Sequence, residues 1–454
     1  MPSSRIFAWL DTIPHNCESR PVPATHDPSL SRKRRRLYPP TPEHSATKRL
    51  NDAMSAHAGS PDKRPNDETH KPSRSSKRLR ESSRSFPPSQ SQCYTSTRSG
   101  QASTLRDLAA LERDQEGLKL CELSTFHPQP PSLEVLLEQI EAFSYAERIL
   151  PASVRDRIER LDGAEYWDMK WATQGPRSFQ HYSTEREALG CTPSPDYVHK
   201  LVSEAAECSA NCHPEANWNM EVHSRILDIA FDTTDDQARL VKCMGSPTAS
   251  IIQEYHRSVS RTKKVDFCIY LEPSVDNSYP EAEDDIDRLS MTLRGEVINH
   301  TDFYPLRNRP IAMSIETTNP DESWEKAMLQ FGVWESARWA FLRYLFDKYE
   351  DQVAQDEAAQ GHQGYTPAPP PSLSRLPEFL PGIIVQGHDW NLVITTQQGE
   401  RTILWQRILM GTTMNPKGVY QIVCCLQLLR QWTQDTFWPW LKEVIRQSSK
   451  SCPG

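Results

Sequence analysis

Two short segments constrain this chain most, because each alternates strictly between two residue classes. In KKVDFCIYLE, Val265, Phe267, Ile269 and Leu271 alternate with Lys264, Asp266, Cys268 and Tyr270. In PIAMSIETT, Ile311, Met313 and Ile315 alternate with Ala312, Ser314 and Glu316. A period of two is the mark of a β-strand with one buried face. Each strand therefore turns an apolar face to a core and carries one carboxylate, Asp266 or Glu316, on the other side. If the strands are neighbours, about 4.8 Å apart, both carboxylates project from one sheet surface and can share a cation. Mg²⁺ takes one or two carboxylates plus water and phosphate oxygens, and it lowers the pKa of bound water, as phosphodiester hydrolysis requires. A strand-borne acid is also commonly just solvated, so spacing alone leaves both readings open.

The flanking pattern alternates helix and strand. LRDLAALERD places Leu105, Leu108, Ala109 and Leu111 on one helical stripe, and 132–150 reads as a longer amphipathic helix with Ser132 as cap and Pro151 as stop. VRDRIERL, 197–208 and 218–231 read as further helices, and 324–346 as a long one bearing Trp324, Phe331, Trp334, Phe341 and Leu345. GIIVQG, WNLVITT and RTILWQRIL read as three strands, with QQGE turning the last pair, before a closing helix VYQIVCCLQLLRQW and the aromatic DTFWPWL. The acidic stretch 279–290 reads as a looping insertion, and the Gln-, Ala- and Pro-rich 351–381 as an exposed, mobile linker. The expected fold is α/β: a central mixed sheet of four or more strands, led by 265–271, 311–317 and 383–396, with helices on both faces of one domain over 105–445.

Residues 1–104 read as a disordered basic tail, too rich in Ser, Pro, Arg and Lys to bury a core. Residues 1–100 hold 18 Lys or Arg against 9 Asp or Glu, a balance of +9; the whole chain carries −8, so residues 101–454 carry −17. The basic clusters 32–36 and 71–84 point to nuclear-import machinery or phosphate-binding arms, while the acidic domain argues against indiscriminate DNA binding. IFAWLDTIP (6–14) is an apolar island that reads as a docking motif or a remnant. No stretch approaches the ~18–20 apolar residues of a membrane span, and the N-terminus lacks the apolar core of a secretory signal. A soluble nuclear protein, with the cytoplasm as alternative, is the expectation. Eleven unpaired cysteines suit reduced thiols. Cys208-x3-Cys212-His213 lacks the second ligand pair of a zinc site, and ordinary cysteines at a helix end are the simpler reading. The phosphate-loop, dinucleotide and serine-hydrolase motifs are absent.

The blocks NWNMEVHSRIL, KKVDFCIYL, RPIAMSIETT, WEKAMLQFGVWESARWAFL, GHDW, GTT…GVYQIV and FWPW occur in this order over 105–440. Together they resemble a fungal branch of PD-(D/E)XK nuclease-like proteins, whose fold is restriction-endonuclease-like. The resemblance implies a Mg²⁺- or Mn²⁺-dependent endonuclease acting on nucleic acid, DNA foremost. It makes Glu221 the helical acid, Asp266 the metal-binding aspartate and Glu316 the acid of the E-x-K step, all three holding metal. Gln330 matches the glutamine of the following helix, with Trp334 completing a Q-x-x-x-aromatic pattern; an i, i+4 pair among aromatics also reads as packing. His223 and His388 read as core or surface histidines.

The departure is Thr318, where the pattern holds a lysine that orients the attacking water and offsets transition-state charge. Threonine has neither the charge nor the reach. Two lysines are candidates to stand in: Lys264, two residues before Asp266 on the same strand face, and Lys326, one helical turn before Gln330. The alternative is that both are ordinary solvated lysines. The chain then reads as a metal-dependent nuclease or as a catalytically inactive nuclease fold. An inactive fold would serve as a nuclear nucleic-acid or protein binding module, or as an interaction protein whose acidic domain meets proteins while the tail meets DNA.

Overall fold

The computed structural model describes residues 98–161, 164–231, 239–256, 264–360 and 375–451, all within one compact unit, Pro88–Gly454. The two basic clusters, the 6–14 island and residues 361–374 of the Pro-rich stretch lie outside the described residues.

The strands are β1 (Leu118–Cys121), β2 (Leu150–Pro151), β3 (Tyr182–Ser183), β4 (Val241–Gly245), β5 (Phe267–Leu271), β6 (Ile311–Thr318), β7 (Leu380–Gln386), β8 (Asp389–Gln398) and β9 (Arg401–Thr412). Seven form one mixed sheet in the order β1-β9-β8-β7-β6-β5-β4, and β2 pairs with β3 separately. β1/β9 and β6/β7 are parallel, and the remaining pairs in the large sheet are antiparallel. β5 and β6 are neighbours, which meets the condition for Asp266 and Glu316 to approach one another. β7, β8 and β9 form the expected meander, with Gly399 (φ +62°) supplying the left-handed turn between β8 and β9.

Helices cover both faces. Ile384, Val393 and Leu404 share one apolar cluster with Phe331 of the long helix Trp324–Gln360. Ile383, Val385, Leu392 and Ile394 join the main core with the closing helix Pro416–Trp432. Gly382 lets the Phe331 ring lie directly on β7, since a Cβ there would stand 2.1 Å from it.

Sequence periodicity missed several features. All five residues of β5 and all eight of β6 are buried, so the supposed polar faces lie under helices rather than in water. Val265 leaves the Phe267–Ile269–Leu271 face and joins Cys268 and Tyr270, because Asp266 sits in a bend before β5. The acidic 279–290 stretch forms a helix, Ala282–Ser290, that buries Ile286 and Leu289. Its Asp285 is also buried, accepting hydrogen bonds from Tyr279 and Arg288. The linker expectation fails at its start, since Ala, Gln and Glu carry the long helix on to Gln360. Ser132 does not cap its helix, which begins with Pro131 at the first turn and ends at Ser144; Ser132 bonds Glu378 instead. The short edge strands β1 and β4 had no periodic signal long enough to read.

The long helix runs back along β6 in matched steps. Four helical residues rise about 6.0 Å and two strand residues about 6.6 Å, so partners recur along both elements. Arg338 donates to the Ala312 carbonyl. The Trp334 indole N–H donates to Ser314 Oγ at 2.9 Å, and the Gln330 amide bonds the Glu316 carboxylate. The next rung brings Lys326 level with Thr318.

Candidate active site

Asp266 enters the site from the residue before β5. Phe267 pairs with Ile315 across the antiparallel ladder, so the next step outward sets Asp266 opposite Glu316, where Cβ atoms lie roughly 5 Å apart. Asp266 Oδ2 accepts both the Thr317 backbone N–H (2.8 Å) and Thr317 Oγ1 (2.9 Å). Burial raises the Asp266 pKa and these two bonds oppose the rise.

Glu316 is only 4% exposed. Burial first, then the charges of Asp266 and Glu215, hold its carboxyl well above the usual range, against the Gln330 bond and the Lys326 charge. Its Oε2 is buried with no hydrogen-bond partner. An orphaned carboxylate oxygen beside a second carboxylate is a costly arrangement unless a cation completes it.

The third acid comes from an unexpected turn of the expected helix. That helix runs Glu215–Trp218, through a π turn Asn219–His223, into Ser224–Phe231. Glu215 lies on the same stripe as buried Trp218, Val222 and Ile226, which faces the core. Its pKa is pushed up to about 7 by burial, then by Asp266 and Glu322, with Lys326 opposing. Glu221, the helical acid expected from the sequence, is not brought to the pair. It stands on another face, ion-paired with Arg225 at 2.7 Å, and Arg225 also binds Glu204 on the neighbouring helix. An acid on an apolar stripe was the signal available for Glu215.

Of the two stand-in lysines, the structure brings one to the site. Lys326 acts on both Glu316 and Glu215. Lys264 lies outside β5, and the bend at Asp266 interrupts the alternation that aimed it at the acids. Lys326 reaches Thr318 through Glu322, whose Oε2 accepts Lys326 Nζ at 2.5 Å and Thr318 Oγ1 at 3.1 Å. Sequence reasoning gave Glu322 no role.

The other singled-out residues are structural. Trp334 is fully buried, with its ring edge against His300. His223 is buried between Asn219 and the Gly387 carbonyl, and burial drops its pKa to about 4. His388 bonds Thr413 and meets Trp218 edge-on. Gly387 (φ +55°) donates its N–H to the Thr318 carbonyl, which ties the β7–β8 turn to the end of β6. Cys208 is buried and Cys212 exposed past the helix end, and the described cysteines are free thiols.

Among the described residues, no group of three or more His, Cys, Asp or Glu side chains is arranged to hold a metal ion. The acids that stand together are Asp266 and Glu316, with Glu215 acting on both. Two hard carboxylates, one with an unpartnered buried oxygen, fit a Mg²⁺-type ion that fills its remaining positions with water and phosphate.

Among the described residues no helix is long and apolar enough to cross a membrane. No curated protein and no solved structure matches the chain. The family model of the PD-(D/E)XK nuclease superfamily matches residues 164–438, more than half of the chain and all of the site-bearing elements. With its paired acids on adjacent strands and a nuclease-like fold around them, this chain belongs to the PD-(D/E)XK nuclease superfamily.

Proposed function

We propose that this chain hydrolyses nucleic-acid phosphodiester bonds, DNA foremost, with Mg²⁺ or Mn²⁺. The observation that supports this reading is the bridge through which Glu322 joins Lys326 to Thr318, the position where the motif holds a lysine. Asp266 and Glu316 would hold the cation, with the charge of Glu215 acting on Glu316 from nearby. When bound, the ion polarises the phosphoryl oxygen and lowers the pKa of a water ligand. Gln330 fixes the Glu316 carboxylate from behind. Lys326 supplies a positive side chain beside the acids and offsets charge as it grows on the phosphoryl oxygens. In the reaction, water oxygen bonds to phosphorus, the bond to the leaving sugar oxygen breaks, and one water proton ends on that oxygen or in solvent.

The basic clusters 32–36 and 71–84 would serve nuclear import or hold phosphates, in keeping with a nuclear address. A second reading, an inactive fold kept as a nucleic-acid or protein binding module, draws support from Thr318 and from the lack of a three-ligand cluster among the described residues.

Calorimetry with Mg²⁺ or Mn²⁺ on the full chain, alongside plasmid nicking, tests the proposal. Micromolar to millimolar binding lost in Asp266→Ala and Glu316→Ala, with nicking lost in parallel, is the expected result. Wild-type protein that binds no divalent ion would leave the binding module standing.

A further inference from the structure

We infer that Thr318 and Glu322 are positioning residues that hold the Lys326 ammonium at the reacting end of the site; this inference rests on the nuclease reading above. Thr318 is then a working part of the motif and not a lesion in it.

Glu322 is fixed before it touches the lysine. Its backbone N–H donates to the Asn319 carbonyl at 3.1 Å, and its carbonyl accepts Gln386 Nε2 at 2.6 Å. Its carboxylate, two-thirds buried, gives one oxygen to two donors, Thr318 Oγ1 and Lys326 Nζ. Thr318 is itself buried and β-branched, so its hydroxyl has few rotamers to choose from. The result is a relay from strand hydroxyl to carboxylate to ammonium.

The lysine needs such a relay. Its side chain is 50% exposed on the first turn of the long helix, where a four-carbon stem would otherwise sample solvent freely. An ammonium has three donors. The bond to Glu322 uses one, leaving two for a phosphate oxygen or the attacking water. A surface Glu–Lys pair four residues apart usually contributes little. This one differs because Glu322 precedes the helix and is anchored to β6 and β7, so it joins the lysine to the sheet.

Two measurements on the full chain test the inference. With supercoiled plasmid and Mn²⁺, Glu322→Ala should lower kcat at least tenfold, towards Lys326→Met, at little change in KM, with Glu322→Gln in between. Thr318→Val, which keeps the shape and removes the hydroxyl, should lower kcat by a smaller factor. The double variant Glu322→Ala/Lys326→Met should be no slower than Lys326→Met, and adding Thr318→Lys to Lys326→Met should restore cleavage. Wild-type rates in Glu322→Ala and Thr318→Val, faster cleavage in either, or multiplying effects in the double variant would overturn the inference.

The second measurement follows the Lys326 ammonium by ¹⁵N NMR without substrate. An immobilised, slowly exchanging signal in the wild type that is lost in Glu322→Ala and weakened in Thr318→Val, with unfolding midpoints unchanged, is expected. An equally mobile signal in all three would overturn the relay. A wild type that does not cleave but shows the immobilised signal would sink the nuclease reading while leaving the relay intact.

Discussion

At one end of the ladder between β6 and the long helix, Arg338 and Trp334 meet Ala312 and Ser314 in the dry interior. At the other, Lys326 and Gln330 meet Thr318 and Glu316 at its opening. Both ends use the same four-to-two stepping. At the inner end the Arg338 guanidinium is matched by Glu335, each 1% exposed, and the indole N–H by a hydroxyl. At the outer end Asp266, Glu316, Glu215 and Glu322 crowd around one lysine. The inner end fixes register, and the outer end gathers four carboxyl groups against one lysine among the described residues. Stability and reactivity are thus separated along a single helix.

The sharpest way to break this contrast is at Arg338. Arg338→Met strands Glu335 in the core and should destabilise the domain by about 3–5 kcal/mol, read by denaturant unfolding. A loss below about 1 kcal/mol would mean that the inner end does not hold the register. Lys326→Met should do the reverse. Stability should stay within about 1 kcal/mol, while cleavage falls roughly 10²–10³-fold.

The gathered acids predict a pH dependence. Glu215 has its folded pKa raised to about 7, so its contribution to stability is present at low pH and lost as pH rises from about 4.5 to 7, by at most about 1.4 kcal/mol per unit. His223 has its folded pKa lowered to about 4, so its contribution is present above about 6.5 and lost as pH falls to 4, at a similar slope. The two oppose each other between about pH 4.5 and 6.5. Glu215→Gln should therefore make stability fall less steeply, or rise more, with pH through this window, followed by thermal melts; an unchanged profile would place Glu215 outside the charged cluster. Smallest of all, Trp334→Phe loses one buried hydrogen bond and should cost about 1 kcal/mol with no effect on divalent-ion affinity.

Much of this was legible in the sequence, and the exceptions have physical causes. The strands β5 to β9 and the closing helix follow from period-two and period-3.6 patterns, whereas the pairing of β5 with β6 could only be posed as a condition. The helix bearing an acid is legible, but the acid in its more recognisable block, Glu221, pairs with Arg225, while Glu215 on the apolar stripe is the one whose charge acts on Glu316. Lys326 was named from its spacing to Gln330, although nothing local revealed Glu322 as its bridge. That contact joins residues from a strand, a loop and a helix. The acidic 282–290 helix was taken for a loop because its charge count masked its buried Ile286 and Leu289.

The parallel pairing of β1 with β9 sets a schedule for assembly. Leu118 finds its ladder partner Thr402 only across about 280 residues, one of the longest closures the domain makes. During synthesis β1 emerges first and waits, while β7, β8 and β9 can zip locally as soon as they appear. The sheet is therefore sealed last at this edge. A truncated chain lacking β1 leaves Thr402–Trp405 unpaired, an open edge that invites a second molecule to take the vacant place.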